Sequence, residues 1–443
     1  MTKVPSIKIL TKEKYMISKF ITKTMFVIFM LMFSSKVIAD GHGTIKVGIL
    51  HSLSGTMAIS ETTLKDTMLM LIEEQNKKGG ILGKKLEPVV VDPASNWPLF
   101  AEKARELLTV SKVDVMFGCW TSVSRKSVLP VIEELNGLLF YPVQYEGEES
   151  SKNVFYTGAA PNQQAIPATD YYLDELGVKK FALLGTDYVY PRTTNKILKQ
   201  YLIDKGIPET DIFVNYTPFG HSDWSKIVGD VVALGADGKK VGVISTINGD
   251  ANIGFYKELA AAGIKADDIP VVAFSVGEEE LSGLDTKNLV GHLAAWNYFQ
   301  SAESDLNTKF IKKWKAKMGD KRVTNDPMEA HVIGFEMYVK AVEKAGSTDV
   351  DAVRKAMYGI KVPNLTGGTA EMLPNHHLSK PVLIGEIKAD GQFDIISQTE
   401  EVPGDAWTDF LAESKPLMSD WKSMGCGMYN KNTKTCVQIK SNY

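Results

Sequence analysis

The sequence is poor in several features that would have directed it elsewhere. It holds only three cysteines in 443 residues, and no apolar run approaches the roughly 20 residues that a membrane-spanning helix needs. It has no glycine loop ending in Lys-Ser/Thr to cradle a phosphate, no His-Glu-x-x-His zinc pair and no Gly-x-Ser-x-Gly elbow. Its histidines show no metal spacing. The one close pair, His376-His377, lies on adjacent residues whose side chains point apart on a helix or a strand, which predicts a surface loop. A basic stripe is missing too: 50 Lys+Arg stand against 53 Asp+Glu, net charge −3, with the two signs interspersed, which argues against a nucleic-acid partner. The expectation is a chain with no catalytic residues, no metal and no cofactor.

What is there is an ordinary globular composition, 44% hydrophobic and 23% charged, long enough for two domains. The first residues depart from it. Lys3, Lys8, Lys12, Lys14, Lys19 and Lys23 precede the apolar run Met25 to Phe33, and Val37-Ile38-Ala39 follows at cleavage spacing. This pattern predicts a secretory signal over residues 1–39 and a mature chain released into the periplasm from Asp40. In that oxidising compartment Cys426 and Cys436, ten residues apart, are expected to pair, with free thiols as the alternative. Cys119 is left over at the end of an apolar run and reads as a buried strand-end cysteine.

From Thr44 onward, short β-branched runs alternate with helical patterns. Strands are expected near 44–50, 85–91, 113–117 and 137–141, with helices over 61–78, 98–111 and 125–136 between them. A second series follows, with strands near 179–184, 211–216, 241–245 and 269–274. Such alternation makes βαβ units and parallel sheets. The fold class predicted is therefore α/β, two doubly wound parallel-sheet lobes joined by hinge strands. Lobe 1 is set at 40–160 with return segments over about 300–390, lobe 2 at 161–299, and a C-terminal extension at 391–443. The runs at 382–388 and 392–396 read as a hairpin around Asp390-Gly391.

In doubly wound sheets ligands sit beyond the carboxyl ends of the strands. Those segments carry hydroxyls, aromatics and amides: residues 50–58, 118–126, 141–147, 185–192, 245–250 and 274–278. Acid candidates there are Asp187, Asp250 and Glu278. The strings 118–126, 138–147, 161–163 and 185–192 resemble those of the periplasmic urea- and short-chain-amide-binding proteins, cousins of the branched-chain amino-acid receptors, and the likeness runs from Thr44 to about Trp421. The urea receptors are the nearer match, because the amide-sensing relatives carry Tyr where Trp120 stands and Thr where Val143 stands.

That resemblance implies a type I periplasmic binding protein that captures urea or a similar small neutral amide and delivers it to an ABC transporter permease. A sensor of acetamide or formamide, or a receptor for branched-chain amino acids, is the alternative. It also implies a site in which Trp120, Ser122, Tyr141 and Gln144 of the first lobe face Tyr188, Asn248 and Ser275 of the second, with Glu278 the acid among the site residues. Urea is planar and neutral, with four N–H donors and one carbonyl acceptor. A closed site must then offer several acceptors, one or two donors and flat walls.

Overall fold

The computed structural model describes residues 43–437, so the secretory signal read over residues 1–39 lies outside the described residues. The first series of runs forms β1 (Ile45–Leu50), β2 (Leu86–Val91), β3 (Val115–Gly118), β4 (Leu139–Tyr141) and β5 (Val154–Tyr156), all parallel, in the order β2-β1-β3-β4-β5. Helices α1 (Ala58–Lys77), α2 (Trp97–Glu106) and α3 (Ser122–Glu134) make the crossovers. Every residue of β3, β4 and β5 is buried. A parallel sheet covered on both faces selects such unbroken apolar runs in place of alternation.

The second lobe repeats the scheme with α4 (Ala165–Asp174), β6 (Lys180–Thr186), α5 (Val189–Asp204), β7 (Ile212–Thr217), α6 (Ser225–Leu234), β8 (Val241–Thr246), α7 (Ala251–Ala261), β9 (Val271–Ala273), α8 (Glu278–Leu281) and β10 (Leu293–Trp296). Strands β7-β6-β8-β9-β10 run parallel. The chain then returns through α9 (Asp305–Met318), α10 (Asp326–Ala345) and α11 (Val350–Met357), whose Phe310, Trp314, Ile333 and Tyr338 join the first lobe's apolar core. Strands β11 (Lys361–Pro363), β12 (Thr369–Met372) and β13 (Leu378–Lys380) follow on that lobe's flank.

The hairpin of β14 (Leu383–Ile387) and β15 (Phe393–Gln398) belongs to the second lobe, whereas its first run is expected in the return segment of lobe 1 and its second in the C-terminal extension. β14 pairs antiparallel with β10. The cause is apolar: Leu383, Ile387 and Phe393 pack into the second lobe's core beside Phe299. A two-residue strand β16 (Val402–Pro403) then pairs with β13. β17 (Leu417–Asp420), β18 (Cys426–Asn430) and β19 (Thr435–Cys436) form a small terminal sheet. The Cα atoms of Cys426 and Cys436 lie 6.1 Å apart, within the span of a disulfide.

His376 and His377 are fully buried, which corrects the surface loop expected of them. His377 stacks on Tyr156 at 4.8 Å and shares a 2.6 Å hydrogen bond with Tyr145 Oη, while His376 Nδ1 meets the carbonyls of Ser151 and Val154. Adjacent side chains do point apart here; each simply finds its own buried partner.

The chain passes between the lobes at 157–164, 297–304, 381–382 and 399–401. Asn297 ties the first three passages together, donating from Nδ2 to the carbonyls of Gln163 (3.1 Å) and Pro381 (2.7 Å). Gln163 Nε2 donates in turn to Leu378 O and Val402 O, both at 2.8 Å. Among the described residues no helix is long and apolar enough to cross a membrane, and no group of three His, Cys, Asp or Glu side chains could hold a metal ion.

Candidate ligand site between the lobes

In the first lobe the strand order turns at β1 and β3, and in the second at β6 and β8. These are the places where an open α/β sheet leaves a crevice. The chain leaves β3 abruptly: a Cβ at Gly118 would lie 2.2 Å from Leu50 O, and Cys119 follows in the left-handed region at φ 69°. Trp120 is thereby turned toward the second lobe, and Thr121 begins α3 with its N–H donating to Ser124 Oγ at 2.8 Å.

Seven of the eight residues named from the sequence come together where the lobes meet. Trp120 Nε1 donates to Asn248 Oδ1 across the gap at 3.3 Å, and Gln144 Nε2 donates to Ser275 Oγ at 2.6 Å. Asn248 is held for this by Thr186 Oγ1, which accepts its N–H at 2.9 Å. Ser122 and Tyr141 are buried in the same cluster and Tyr188 is half-buried beside them; Ser122 Oγ donates to Glu146 at 2.5 Å. The lobes are closed on one another. Gly249, at φ 68°, sits so near Thr56 that a Cβ there would be 2.8 Å from its carbonyl oxygen.

Glu278 stands apart from this cluster. As the first residue of α8 it turns to the second crossing segment, where Gln300 N donates to its Oε1 at 2.6 Å, and burial pushes its carboxyl up to about 8. Asp187 is surface-exposed and paired with Arg192 at 2.6 Å, and Asp250 is exposed at the start of α7. Cys119 is buried, with its thiol pushed up by burial and by Glu61.

Sequence reasoning passed over three members of the site. Tyr190 lies fully inside it, next to Ser275 and Gln144. Arg125 and Glu146 supply its charges. The Arg125 guanidinium is completely buried, 2.7 Å from Glu149 and 3.3 Å from Glu146, and lies over the rings of Tyr141 and Tyr145 at 4.7 and 4.8 Å. Burial alone would pull its pKa down, but Glu149 and Glu146 outweigh that and hold it well above the ordinary value. Burial opposes ionisation of Glu149 as well, and Arg125 and Lys126 overcome it. Two cations thus face two carboxylates. All three residues lie inside the strings at the strand ends; the pairing of Arg125 with Glu146 and with Glu149, 21 and 24 residues on, is what no local pattern signals.

The cluster also contains polar atoms that find no partner: Tyr141 Oη, Gln144 Oε1 and Tyr190 Oη. Buried polar groups are ordinarily paired, and leaving one unpaired costs about 1–3 kcal/mol. An acceptor and two hydroxyls, between the indole of Trp120 and the rings of Tyr141, Tyr188 and Tyr190, suit a small flat molecule with both donors and an acceptor.

Comparison with known proteins places this geometry. The family model of the periplasmic binding protein domain matches residues 45–413. The chain is 25% identical over 355 residues to a Leu/Ile/Val-binding protein homologue of Brucella melitensis, covering 79% of this chain and 91% of that protein. A 138-residue stretch, 31% of this chain, is 30% identical to part of a protein named limonene hydroxylase from Geobacillus stearothermophilus, spanning only 23% of its length. Among solved structures, an ABC-transporter solute-binding protein of Rhodopseudomonas palustris HaA2 in complex with p-hydroxybenzoic acid superposes with a TM-score of 0.71 at 21% identity, covering 84% of this chain and 100% of that one. The chain belongs to the periplasmic binding protein family, whose members are ligand-binding receptors and not enzymes, and it has the type I fold of ABC-transporter solute-binding proteins.

Proposed function

We propose that the protein captures urea, or an equally small neutral amide, between its closed lobes in the periplasm and hands it to an ABC-type permease. The observation that carries this reading is the charge balance of the cluster. Arg125 and Lys126, the cations beside it, are already spent on Glu149 at 2.7 and 2.8 Å and on Glu146 at 3.3 and 3.7 Å. A ligand carboxylate, as in an amino acid or an aromatic acid, would enter a low-dielectric site with its charge unmatched, which is strongly unfavourable. A neutral amide needs hydrogen bonds only. Gln144 Oε1 accepts from its N–H groups, and the hydroxyls of Tyr141 and Tyr190 donate to its carbonyl.

Calorimetric titration of the mature protein with urea, acetamide, formamide, leucine and 4-hydroxybenzoate tests this. Urea is expected to bind most tightly, with heat and stoichiometry of one site. Tight binding of leucine or 4-hydroxybenzoate, with none of urea, would overturn the neutral-ligand reading and favour the receptors of charged solutes.

A further inference from the structure

We propose that Ser60 and Glu280 form a second closing contact, outside the ligand cluster, through which closure of the lobes takes up protons. The two residues come from different lobes: Ser60 is in the first turn of α1, and Glu280 is in α8, whose Leu281 packs into the second lobe's core. Ser60 Oγ donates to Glu280 Oε1 at 2.6 Å, with both side chains buried. The other carboxyl oxygen accepts Gly277 N at 3.0 Å. No cation sits against this carboxyl in the described residues. The charged groups around it and its neighbour Glu279 are Glu278 on the same helix, Asp66 on α1 and Arg322 from the return segment, with Arg322 itself 3.5 Å from Asp66; Asp326 lies beside Glu278.

The contact exists only when the lobes are closed, because α8 is covered by α1. Opening returns Glu279 and Glu280 to water. In the closed arrangement burial pushes the Glu280 carboxyl up, against the hydrogen bonds from Ser60 and Gly277. Burial and Glu280 push Glu279 from 4.5 up to about 7. A carboxyl whose pKa is higher in the closed state binds more protons there, so acid favours closure, and the gain fades as pH rises through the closed-state value. For Glu279 alone, a shift from an ordinary value to about 7 makes the closed-to-open ratio roughly tenfold larger at pH 6 than at pH 8. Glu280 adds to it in the same direction. Affinity for the bound solute then rises in acid without any titrating group touching the solute.

The test reads closure itself. Spin labels on Val110→Cys and Val232→Cys, exposed positions on the two lobes, report the interlobe distance by pulsed electron resonance at pH 6, 7 and 8, without ligand and with saturating urea. In the parent the closed population is expected to rise toward pH 6 by roughly tenfold in closed-to-open ratio. In Glu279→Gln/Glu280→Gln, which keeps the shape, with the new amide at position 280 accepting Gly277 N through its oxygen and donating to Ser60 Oγ through its nitrogen, it should be high and independent of pH. Ser60→Ala should lower it at every pH. A merely structural role for Glu280 would leave the pH profile of the double variant like that of the parent, and that result overturns the proposal. So does a flat parent profile, or an unchanged closed population in Ser60→Ala. The inference does not depend on which solute is bound: pH-dependent closure with no response to urea would sink the urea reading and leave the latch standing.

Discussion

Replacing Trp120 by Tyr separates a wall of the pocket from a strut between the lobes. The indole is buried and its Nε1 donates to Asn248 Oδ1 at 3.3 Å, which is long for a hydrogen bond. Losing one neutral bond of this kind costs about 0.5–1.5 kcal/mol, or roughly 2- to 13-fold in affinity. That cost falls on the closed state and so on every ligand equally. If the indole also forms the flat wall against the solute, the smaller phenol changes the fit by about a methylene's worth, which is about 1–3 kcal/mol and differs between ligands. The expected outcome is weaker urea binding together with a fall of at least roughly tenfold in the preference for urea over acetamide, read as the ratio of calorimetric dissociation constants. Equal losses for the two ligands, with a lower melting temperature, would refute a pocket role. Trp120 would then be a closing contact only, and Gln144, Tyr141 and Tyr190 would carry the recognition.

Other consequences follow from particular contacts. Arg125→Met leaves the buried carboxylates Glu146 and Glu149 without their main partner and should cost about 3–5 kcal/mol, measured by guanidinium unfolding because urea is the proposed ligand. Scattering in saturating urea should give a smaller radius of gyration than without it, and an unchanged value at saturation would contradict closure around that ligand. Thiol counting under denaturing, non-reducing conditions should find one free thiol, Cys119; three would show that Cys426 and Cys436 are unpaired. Intact mass of the protein from a periplasmic extract should begin at Asp40, and retention of residues 1–39 would overturn the cleavage expected after Ala39.

The parts of the fold that were legible in the sequence are those where local pattern and tertiary demand agree. The run at 241–245 is buried throughout and that at 44–50 is buried apart from Thr44 and Lys46, so both are easily read. Strands β5 and β10, three and four residues long, offer no run long enough to register, although both are fully buried. The hairpin of β14 and β15 was legible as a hairpin but not as a part of the second lobe, since only its packing against Phe299 fixes its partner sheet. The same division holds at the site. Trp120, Gln144 and Asn248 stand at strand ends, where a rule of topology finds them. Glu278 stands at such an end as well, yet the start of α8 turns it toward Gln300.

Arg125 explains why the charges of the site escape a reading by segments. Taken singly, Arg125 looks like a solvated helix residue and Glu146 and Glu149 like solvated loop residues, and a buried arginine in isolation would be prohibitively costly. Together they cancel, and the stacking of Tyr145 and Tyr156, 4.8 Å apart, with Tyr156 Oη donating to Glu149 Oε1 at 2.9 Å, fixes their positions. The network therefore does two things at once. It anchors the 142–150 loop to α3, and it holds Glu146 where Ser122 can donate to it, so that the polar groups lining the cluster are oriented before any solute arrives. Orientation in advance lowers the cost of binding a small solute, which has few atoms with which to offset the loss of its own freedom. A solute of few atoms gains most from such a site, and the buried ion-pair network behind Ser122 supplies that orientation.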